Sequence, residues 1–175
     1  MKGGTWRGWR GWLLAVLHLA LVASLAGKYL IDRHTLPRGW VRTQPYDPEL
    51  PIRGRYVQLR VETRLDDALR KAEAPQGPSH AYGFWTDPAR LAMDRDGLIL
   101  KRDESGKQLW IQVSGGRHFL SEPVAYFLPE KVADPSRRPA GEELWVEVSV
   151  PRKGPPRPIR LGVRRGGVLR PLQLD

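Results

Sequence analysis

The first feature of the hydrophobic pattern is one long apolar run near the N-terminus. Residues 12–27 contain no Lys, Arg, Asp or Glu and are apolar on every side of a helix, whereas a surface helix of a soluble protein has one apolar stripe. A spanning helix needs roughly 20 residues, and Lys28 can snorkel so that the apolar residues after it extend the run. The pattern predicts a transmembrane helix over 12–31 with aromatic residues at its two interfaces: Trp9, Trp12 and Tyr29.

A cleaved signal peptide is the alternative interpretation of the same run. The segment before it is basic, with Lys2, Arg7 and Arg10, and Ser24 and Ala26 are the small residues that a signal peptidase recognises. The apolar character beyond Lys28 favours the uncleaved anchor. In both cases the positive N-terminus stays in the cytoplasm and the rest of the chain lies outside it.

After this run the pattern changes to short stretches of period two, which is typical of half-buried strands. Residues 56–62 alternate, with Val57, Leu59 and Val61 on one face. Residues 144–150 alternate in the same way, with Trp145, Glu147 and Ser149 predicted to point outward. Two hairpins are expected, one over 98–113 and one near the C-terminus with its turn at 165–167.

Helical periodicity occurs in one short stretch, 64–74, where Leu65, Ala68, Leu69 and Ala72 have compatible spacings. A single helical turn is also expected near 87–93, capped by Asp87. The predicted fold class is mainly β: an N-terminal transmembrane helix followed by a small antiparallel β-sandwich or barrel with one short helix.

Prolines divide the chain into three predicted regions. Residues 1–31 form the cytoplasmic tip and the anchor. Residues 32–52, with four prolines, form an extended juxtamembrane spacer. Residues 53–175 form the extracytoplasmic β domain.

The charge distribution bears on the class of partner. The chain has a net charge of +10 and no Cys, so disulfides are excluded. Residues 1–42 and residues 151–175 each contain seven basic residues against one acid, and the centre is close to neutral. Because a net charge of +6 over residues 1–42 flanks the membrane segment, attraction to anionic headgroups explains the basic excess more simply than nucleic-acid binding does. Membrane lipid is therefore a predicted partner, and nucleic acid is not.

The sequence shows no catalytic or metal-binding constellation. A Ser/Lys hydrolase needs a serine beside a buried lysine, but no spacing selects a pair among Ser79, Ser114, Ser121, Lys101 and Lys107. The histidines after the apolar run, His34, His80 and His118, lack the grouping of metal ligands. No cofactor is predicted, and a membrane-tethered Ser/Lys peptidase is kept as the alternative function.

Aromatic and basic residues suggest two further surfaces. A ligand-binding aromatic face is one interpretation of six residues, and ordinary packing in a small β domain is the more common one: Tyr56, Trp85, Trp110, Tyr126, Phe127 and Trp145. Arg53, Arg55 and Arg60 are either an anion-binding edge or a charged face that prevents edge pairing.

Two motifs make the chain resemble the GDYXXLXY protein family. The first is the stretch PYDPELPIRGRYVQLRV, beginning at Pro45, and the second is YFLPE at 126–130. The chain departs from the family pattern at Arg55, where the family has Asp, and at Val61, where it has Tyr. The resemblance extends from the anchor to the C-terminus. The residues that match, which are structural or interaction candidates, are Pro45, Asp47, Pro48, Arg53, Gly54, Tyr56, Leu59, Tyr126, Phe127, Pro129 and Glu130.

The resemblance implies a bacterial protein of the inner membrane with one N-terminal membrane helix and a periplasmic body. Members of the family are often encoded beside a multi-pass membrane protein, which is thus an expected partner. The family brings no established catalytic residues. The sequence as a whole predicts a membrane-anchored, non-enzymatic accessory or interaction protein.

Overall fold

A computed structural model describes residues 6–46, 56–72, 82–132 and 134–174. The chain divides into two compact units, Met1–Leu36 and Pro37–Asp175. The first is a helix and the second is a β unit, and each is described by itself.

The helical unit contains α1, Trp6–Thr35. Its segment Gly11–Asp32 has 22 residues and a mean hydropathy of 1.8. At 1.5 Å per residue such a segment is about 33 Å long, and the hydrocarbon core of a bilayer is about 30 Å thick. The predicted helix is present, and it is long and apolar enough to cross a membrane.

The β unit contains eleven strands and one short helix among its described residues. In chain order they are β1 (Arg38–Pro45), β2 (Tyr56–Leu65), α2 (Asp67–Ala72), β3 (Tyr82–Trp85), β4 (Ala89–Asp94), β5 (Gly97–Arg102), β6 (Trp110–Ser114), β7 (Arg117–Leu120), β8 (Val124–Phe127), β9 (Glu142–Ser149), β10 (Arg157–Arg165) and β11 (Val168–Pro171).

These strands form one sheet built around β2. The order runs β11-β10-β9-β1-β2-β7-β6-β3, and β8 pairs with the N-terminal half of β2. The pairs are antiparallel except that the end of β2 runs parallel to β5, which in turn pairs with β4. The sheet curls so that Cα atoms of β8 come within 8 Å of those of β10. The predicted mainly β, antiparallel fold with one short helix is confirmed.

The core consists of the inward residues of the alternating strands. Val57, Leu59 and Val61 are buried, as predicted, and so are Leu144 and the apolar residues that alternate after it in β9. The Thr43 hydroxyl, which is also buried, donates a hydrogen bond to the Leu144 carbonyl oxygen at 2.8 Å. This contact satisfies a polar group that would otherwise be costly to bury. Ser149, predicted to point outward, is buried as well.

The β unit begins earlier than the predicted boundary at residue 53. The segment placed in the spacer contains β1, which pairs with β9 from Arg38 to Arg42 and with β2 from Thr43 to Pro45. The prolines concealed this strand, because Pro37 precedes its first residue and Pro45 is its last, where the missing amide does little harm. The first strand of the sheet is therefore β1 and not the stretch at 56–62.

Two further predictions are wrong. Residues 87–93 do not form a helical turn, because Ala89–Asp94 pairs as β4 with β5 around a turn at residues 95–96. Residues 98–113 do not form a hairpin, because β5 pairs with β4 and β2, whereas β6 pairs with β3 and β7. The turn-rich residues between β5 and β6 are a connection between two different parts of the sheet.

The predicted helix over 64–74 and the C-terminal hairpin are present. α2 is shorter, since Leu65 still belongs to β2, and its N-terminus is capped by Asp66, whose carboxylate accepts a hydrogen bond from the Leu69 amide at 2.8 Å. In the hairpin, Gly166 and Gly167 have φ of 55° and 83°. Such positive values at both central residues are what a two-residue hairpin turn requires.

Candidate functional site

The described motif residues of three strands come together at one part of the sheet. β2 pairs with β1 on one side and with β8 on the other. Pro45 lies opposite Leu59, Phe127 lies opposite Tyr56, and Tyr126 pairs with the neighbouring position of β2. We call these five residues the motif corner: Pro45, Tyr56, Leu59, Tyr126 and Phe127.

The motif corner has an inner and an outer half. Leu59 is fully buried, and Tyr126 is partly buried and packs against the core. Phe127 is 74% exposed, and its ring lies 6.0 Å from that of the half-buried Tyr56, centroid to centroid, with the planes tilted by 57°. Because successive residues of a strand point to opposite faces, one half of the motif stabilises the core and the other presents aromatic rings outside it.

An arginine extends the outer half of the motif corner. The Tyr46 amide donates a hydrogen bond to the Gln58 carbonyl at 3.0 Å, so this tyrosine continues the line of β1. The Arg60 guanidinium lies over the Tyr46 ring, 4.0 Å from its centroid, which is the geometry of a cation–π contact. Since Arg60 is two and four residues beyond Gln58 and Tyr56, it shares their face of β2.

The face of the sheet formed by β1, β9 and β10 repeats this pairing of arginine with aromatic rings. Arg160 lies 5.4 Å from the Trp40 ring centroid, and Arg164 lies 5.1 Å from that of Trp145. Gly162 makes room for one of these rings, because a Cβ atom at that position would come within 2.7 Å of the Trp40 indole. Trp145, the other aromatic residue of this face, is half-buried and is not part of the motif corner.

A cleft of about 420 Å³ lies beside this face. Arg42 pairs with Glu143 at 2.9 Å, and the Trp145 indole N–H donates to the same carboxylate at 3.2 Å. Arg164 and Glu62 also line the cleft. Small-molecule sites of this size are mostly apolar, whereas this cleft is lined by charged groups, most of which already have partners. It therefore fits a structural ion-pair cluster better than a small-molecule site.

The other predicted aromatic residues lie elsewhere. Trp85 and Trp110 are opposite each other on β3 and β6, with ring centroids 5.2 Å apart. They are 64% and 40% exposed. In the sheet order β7, β2 and β1 separate β6 from β9, the strand that carries Trp145. The six predicted aromatic residues therefore do not form one continuous face.

Pro129 and Glu130 follow β8 in an exposed turn, in which the Val132 amide donates to the Pro129 carbonyl at 3.3 Å. Four motif residues lie outside the described residues, as do two of the arginines of the predicted anion-binding edge: Asp47, Pro48, Arg53, Gly54 and Arg55.

The residues considered for catalysis are spread over the fold. Lys101 on β5 and Lys107 after it are both exposed, so neither lies in the buried surroundings that a Ser/Lys hydrolase requires of its lysine. Ser121 follows β7, and its hydroxyl is buried without a hydrogen-bond partner in the described part of the chain. Within that same part, no three potential ligands are grouped in a way that could hold a metal ion. Ser79 and His80 lie outside it.

The clearest pKa shift among the described residues belongs to Asp103, whose carboxylate stabilises a turn. The Ser105 hydroxyl and amide donate hydrogen bonds to the Asp103 carboxylate at 2.7 Å and 3.0 Å. These bonds, with a smaller contribution from Arg90, hold the pKa of Asp103 below its usual value. The carboxylate orders the turn after β5 and is not part of the motif corner.

The sequence did not indicate that Tyr46, Trp40 and Arg160 take part in the contacts between arginines and aromatic rings. Trp40, Arg42, Gln44 and Tyr46 alternate with smaller residues, and this period-two signal was available in the segment interpreted as a spacer.

Comparison of the chain with protein-family models, with curated proteins and with solved structures gives no match.

Proposed function

We propose that the protein is a membrane-anchored, non-enzymatic accessory protein whose β unit lies outside the cytoplasm and binds another membrane protein. The observation that carries this proposal is the exposed outer half of the motif corner. A phenylalanine that is 74% exposed, next to Tyr56 and an arginine stacked on tyrosine, has the composition of the central residues of protein interfaces.

The length and composition of α1 support the anchoring part of the proposal. Its 22-residue apolar segment matches the thickness of a bilayer. Lys2, Arg7 and Arg10 precede this segment, and an excess of positive charge favours the cytoplasmic side. The helix then leads outward, and the β unit follows it.

We also propose that the chain belongs to the GDYXXLXY family of bacterial inner-membrane proteins and that its partner is a multi-pass membrane protein. The position of Val61 removes one objection to this assignment. Val61 is fully buried, so an apolar residue suits the place where the family has Tyr. The matching residues Pro45, Tyr56 and Phe127 also meet at one corner of the sheet.

Site-specific photo-cross-linking in native membranes tests the interaction. A photoreactive amino acid replaces Phe127 in the full chain, and the matched control carries it at Val168, which is 57% exposed on β11. We expect a discrete cross-linked product from position 127 and none of that mass from position 168. A chain that migrates alone from both positions contradicts the proposal.

Loss of the aromatic ring gives a second measurement of the same contact. We expect Phe127→Ala to weaken co-purification of the cross-linked partner in mild detergent by roughly 30-fold or more, the effect of removing an interface hot spot. Val168→Ala is the control and leaves co-purification intact. Equal recovery with both variants means that the partner binds elsewhere.

Topology is tested independently. A reporter that is active only outside the cytoplasm, fused after Asp175, is expected to be active, and the protein is expected to stay with the membrane after washing with alkaline carbonate. Activity confined to the cytoplasm, or release into the aqueous fraction, overturns the anchored arrangement.

A further inference from the structure

Three strand ends meet at the place where the chain enters the β unit. The Val150 amide donates to the Pro37 carbonyl at 3.0 Å. Arg38, the first residue of β1, lies opposite Ser149, and Arg157, the first residue of β10, lies opposite Ser149 on its other side. The loop between β9 and β10 is therefore at the same end of the sheet as the chain entry.

This loop displays positive charge. Arg152 and Lys153 are exposed, and Pro151 and Pro156 are buried on either side of them. Gly154 has φ of 98°, a conformation that other residues seldom adopt. The prolines and the glycine restrict the loop, so its basic side chains are held at this end. We call these four residues the entry cluster: Arg38, Arg152, Lys153 and Arg157.

Acidic residues near the entry cluster have partners of their own. The turn between β4 and β5 lies beside β1, since a Cβ atom at Gly97 would be 3.6 Å from the Trp40 carbonyl oxygen. The two carboxylates of this turn, Asp94 and Asp96, both pair with Arg64. These two carboxylates are therefore not available to neutralise Arg38, Arg152 and Lys153.

The individual members of the cluster support the same conclusion. Arg38, Arg152 and Lys153 are exposed, and in the described ranges none of the three forms a salt bridge. At the opposite end of the same strands two of the arginines pair with acids: Arg42 with Glu143, and Arg165 with Glu142. The charge of the sheet is thus unequal at its two ends.

We propose that the entry cluster docks onto anionic lipid headgroups of the bilayer that holds α1. This inference rests on the proposed function, in which α1 spans a membrane. α1 ends at Thr35 and β1 begins at Arg38, so the covalent connection is at most roughly 11 Å long. This short connection allows the entry cluster to approach the bilayer surface, and exposed charges act on such a surface over a Debye length of about 8 Å at physiological salt. Each basic residue near an anionic surface raises the binding constant for that surface about fivefold.

An acidic segment of a protein partner offers similar charge, so the test uses lipid alone. The chain has no Cys, and a single Cys at Pro155, which is exposed in the same loop, can carry a donor dye. The full chain is reconstituted into nanodiscs whose headgroups carry an acceptor. One set is pure phosphatidylcholine, and the other contains about a third phosphatidylglycerol. A second labelled variant with Cys at Val168, beyond the opposite end of β10, serves as the reference.

We expect energy transfer from position 155 to be higher in the anionic discs than in the neutral ones, and to fall in about 1 M salt, where the Debye length is near 3 Å. The variant Arg152→Gln/Lys153→Gln is expected to lower the ratio of docked to undocked protein by roughly 25-fold. The matched variant Arg165→Gln/Arg170→Gln removes two exposed charges from the other end of the hairpin and is expected to leave that ratio unchanged.

The outcomes separate the two proposals. Equal transfer in both kinds of disc, or equal effects of the two double variants, overturns lipid docking while the anchor stands. A chain that is not recovered with the discs overturns the anchor, and the docking inference with it.

Discussion

The close approach of Trp40 to Gly162 gives a prediction that tests whether β1 truly belongs to the sheet. An alanine Cβ at position 162 would lie 2.7 Å and 2.9 Å from two carbon atoms of the Trp40 ring and 3.1 Å from the Arg170 carbonyl oxygen. Normal carbon–carbon contacts are about 3.5–4.0 Å. The indole must therefore move by about 1 Å, and it carries the contact with Arg160.

The expected cost combines opposing terms. Overpacking of this kind destabilises by about 1–3 kcal/mol, and the displaced cation–π contact adds about 0.5–1 kcal/mol. Replacing Gly by Ala in a strand returns about 0.5–1 kcal/mol of conformational entropy. We expect Gly162→Ala to lower the free energy of unfolding by about 1–3 kcal/mol.

A double-mutant cycle isolates the contact. In a Trp40→Ala background the ring is gone, so Gly162→Ala is expected to become neutral or slightly stabilising, with a coupling energy of about 1–3 kcal/mol. The measurement is urea unfolding of the full chain in mild detergent, followed by far-ultraviolet circular dichroism. The midpoint should change while the slope with urea stays constant.

A second Gly–Trp pair in the same protein provides the control. A Cβ atom at Gly83 would lie 2.5 Å from the Trp110 ring, so Gly83→Ala and Trp110→Ala should couple with each other. The cross combination Gly162→Ala/Trp110→Ala joins distant strands and should be additive within about 0.5 kcal/mol. If Gly162→Ala costs nothing, or costs the same with and without Trp40, the indole does not lie over β10 and the placement of β1 is refuted.

Three further substitutions test other parts of the β unit by the same unfolding measurement. Leu59→Ala empties a fully buried position and should cost about 2–5 kcal/mol; a cost below about 1 kcal/mol would mean that the motif leucine is not in the core. Asp66→Ala removes acceptors for two backbone amides at 2.8 Å and should cost about 1–2 kcal/mol, with Asp67→Ala, at the first position of α2, as the milder control. Because Ser105 lowers the pKa of Asp103, the stabilisation that Asp103 provides over Asp103→Asn is present above the unfolded pKa and is lost as pH falls; a difference that grows on acidification would contradict this.

The local elements of this fold could be predicted because their signals are local. The alternation of Val57, Leu59 and Val61, the apolar run before Lys28, and the paired glycines at 166–167 each determine a structure within a few residues. The pairing of strands that are distant along the chain has no such local signal in the sequence. Nothing near β5 indicates that it joins β4 and β2 and not β6, because that choice depends on which inward faces fit together in the core.

The candidate site was predictable only in part. The motifs that resemble those of the GDYXXLXY family include Tyr56 and Phe127, but the contact between these two rings depends on the register of β2 against β8, which sequence spacing does not contain. Tyr46 escaped notice because proline-rich composition outweighed a weak alternation around β1. Proline limits a strand only where its amide is needed, and at Pro45 the strand is already ending.

The hydrogen bond between Thr43 and Leu144 joins residues 101 positions apart. The first strand of the β unit pairs early with β2, but it cannot complete its ladder until β9, one of the last strands, is available. Until then its apolar side is uncovered, and contacts so remote along a chain form slowly. In the proposed topology, in which the β unit is exported, a chaperone is expected to hold the chain until β9 has followed, and a chain truncated before residue 142 should be degraded and not stored as a folded fragment.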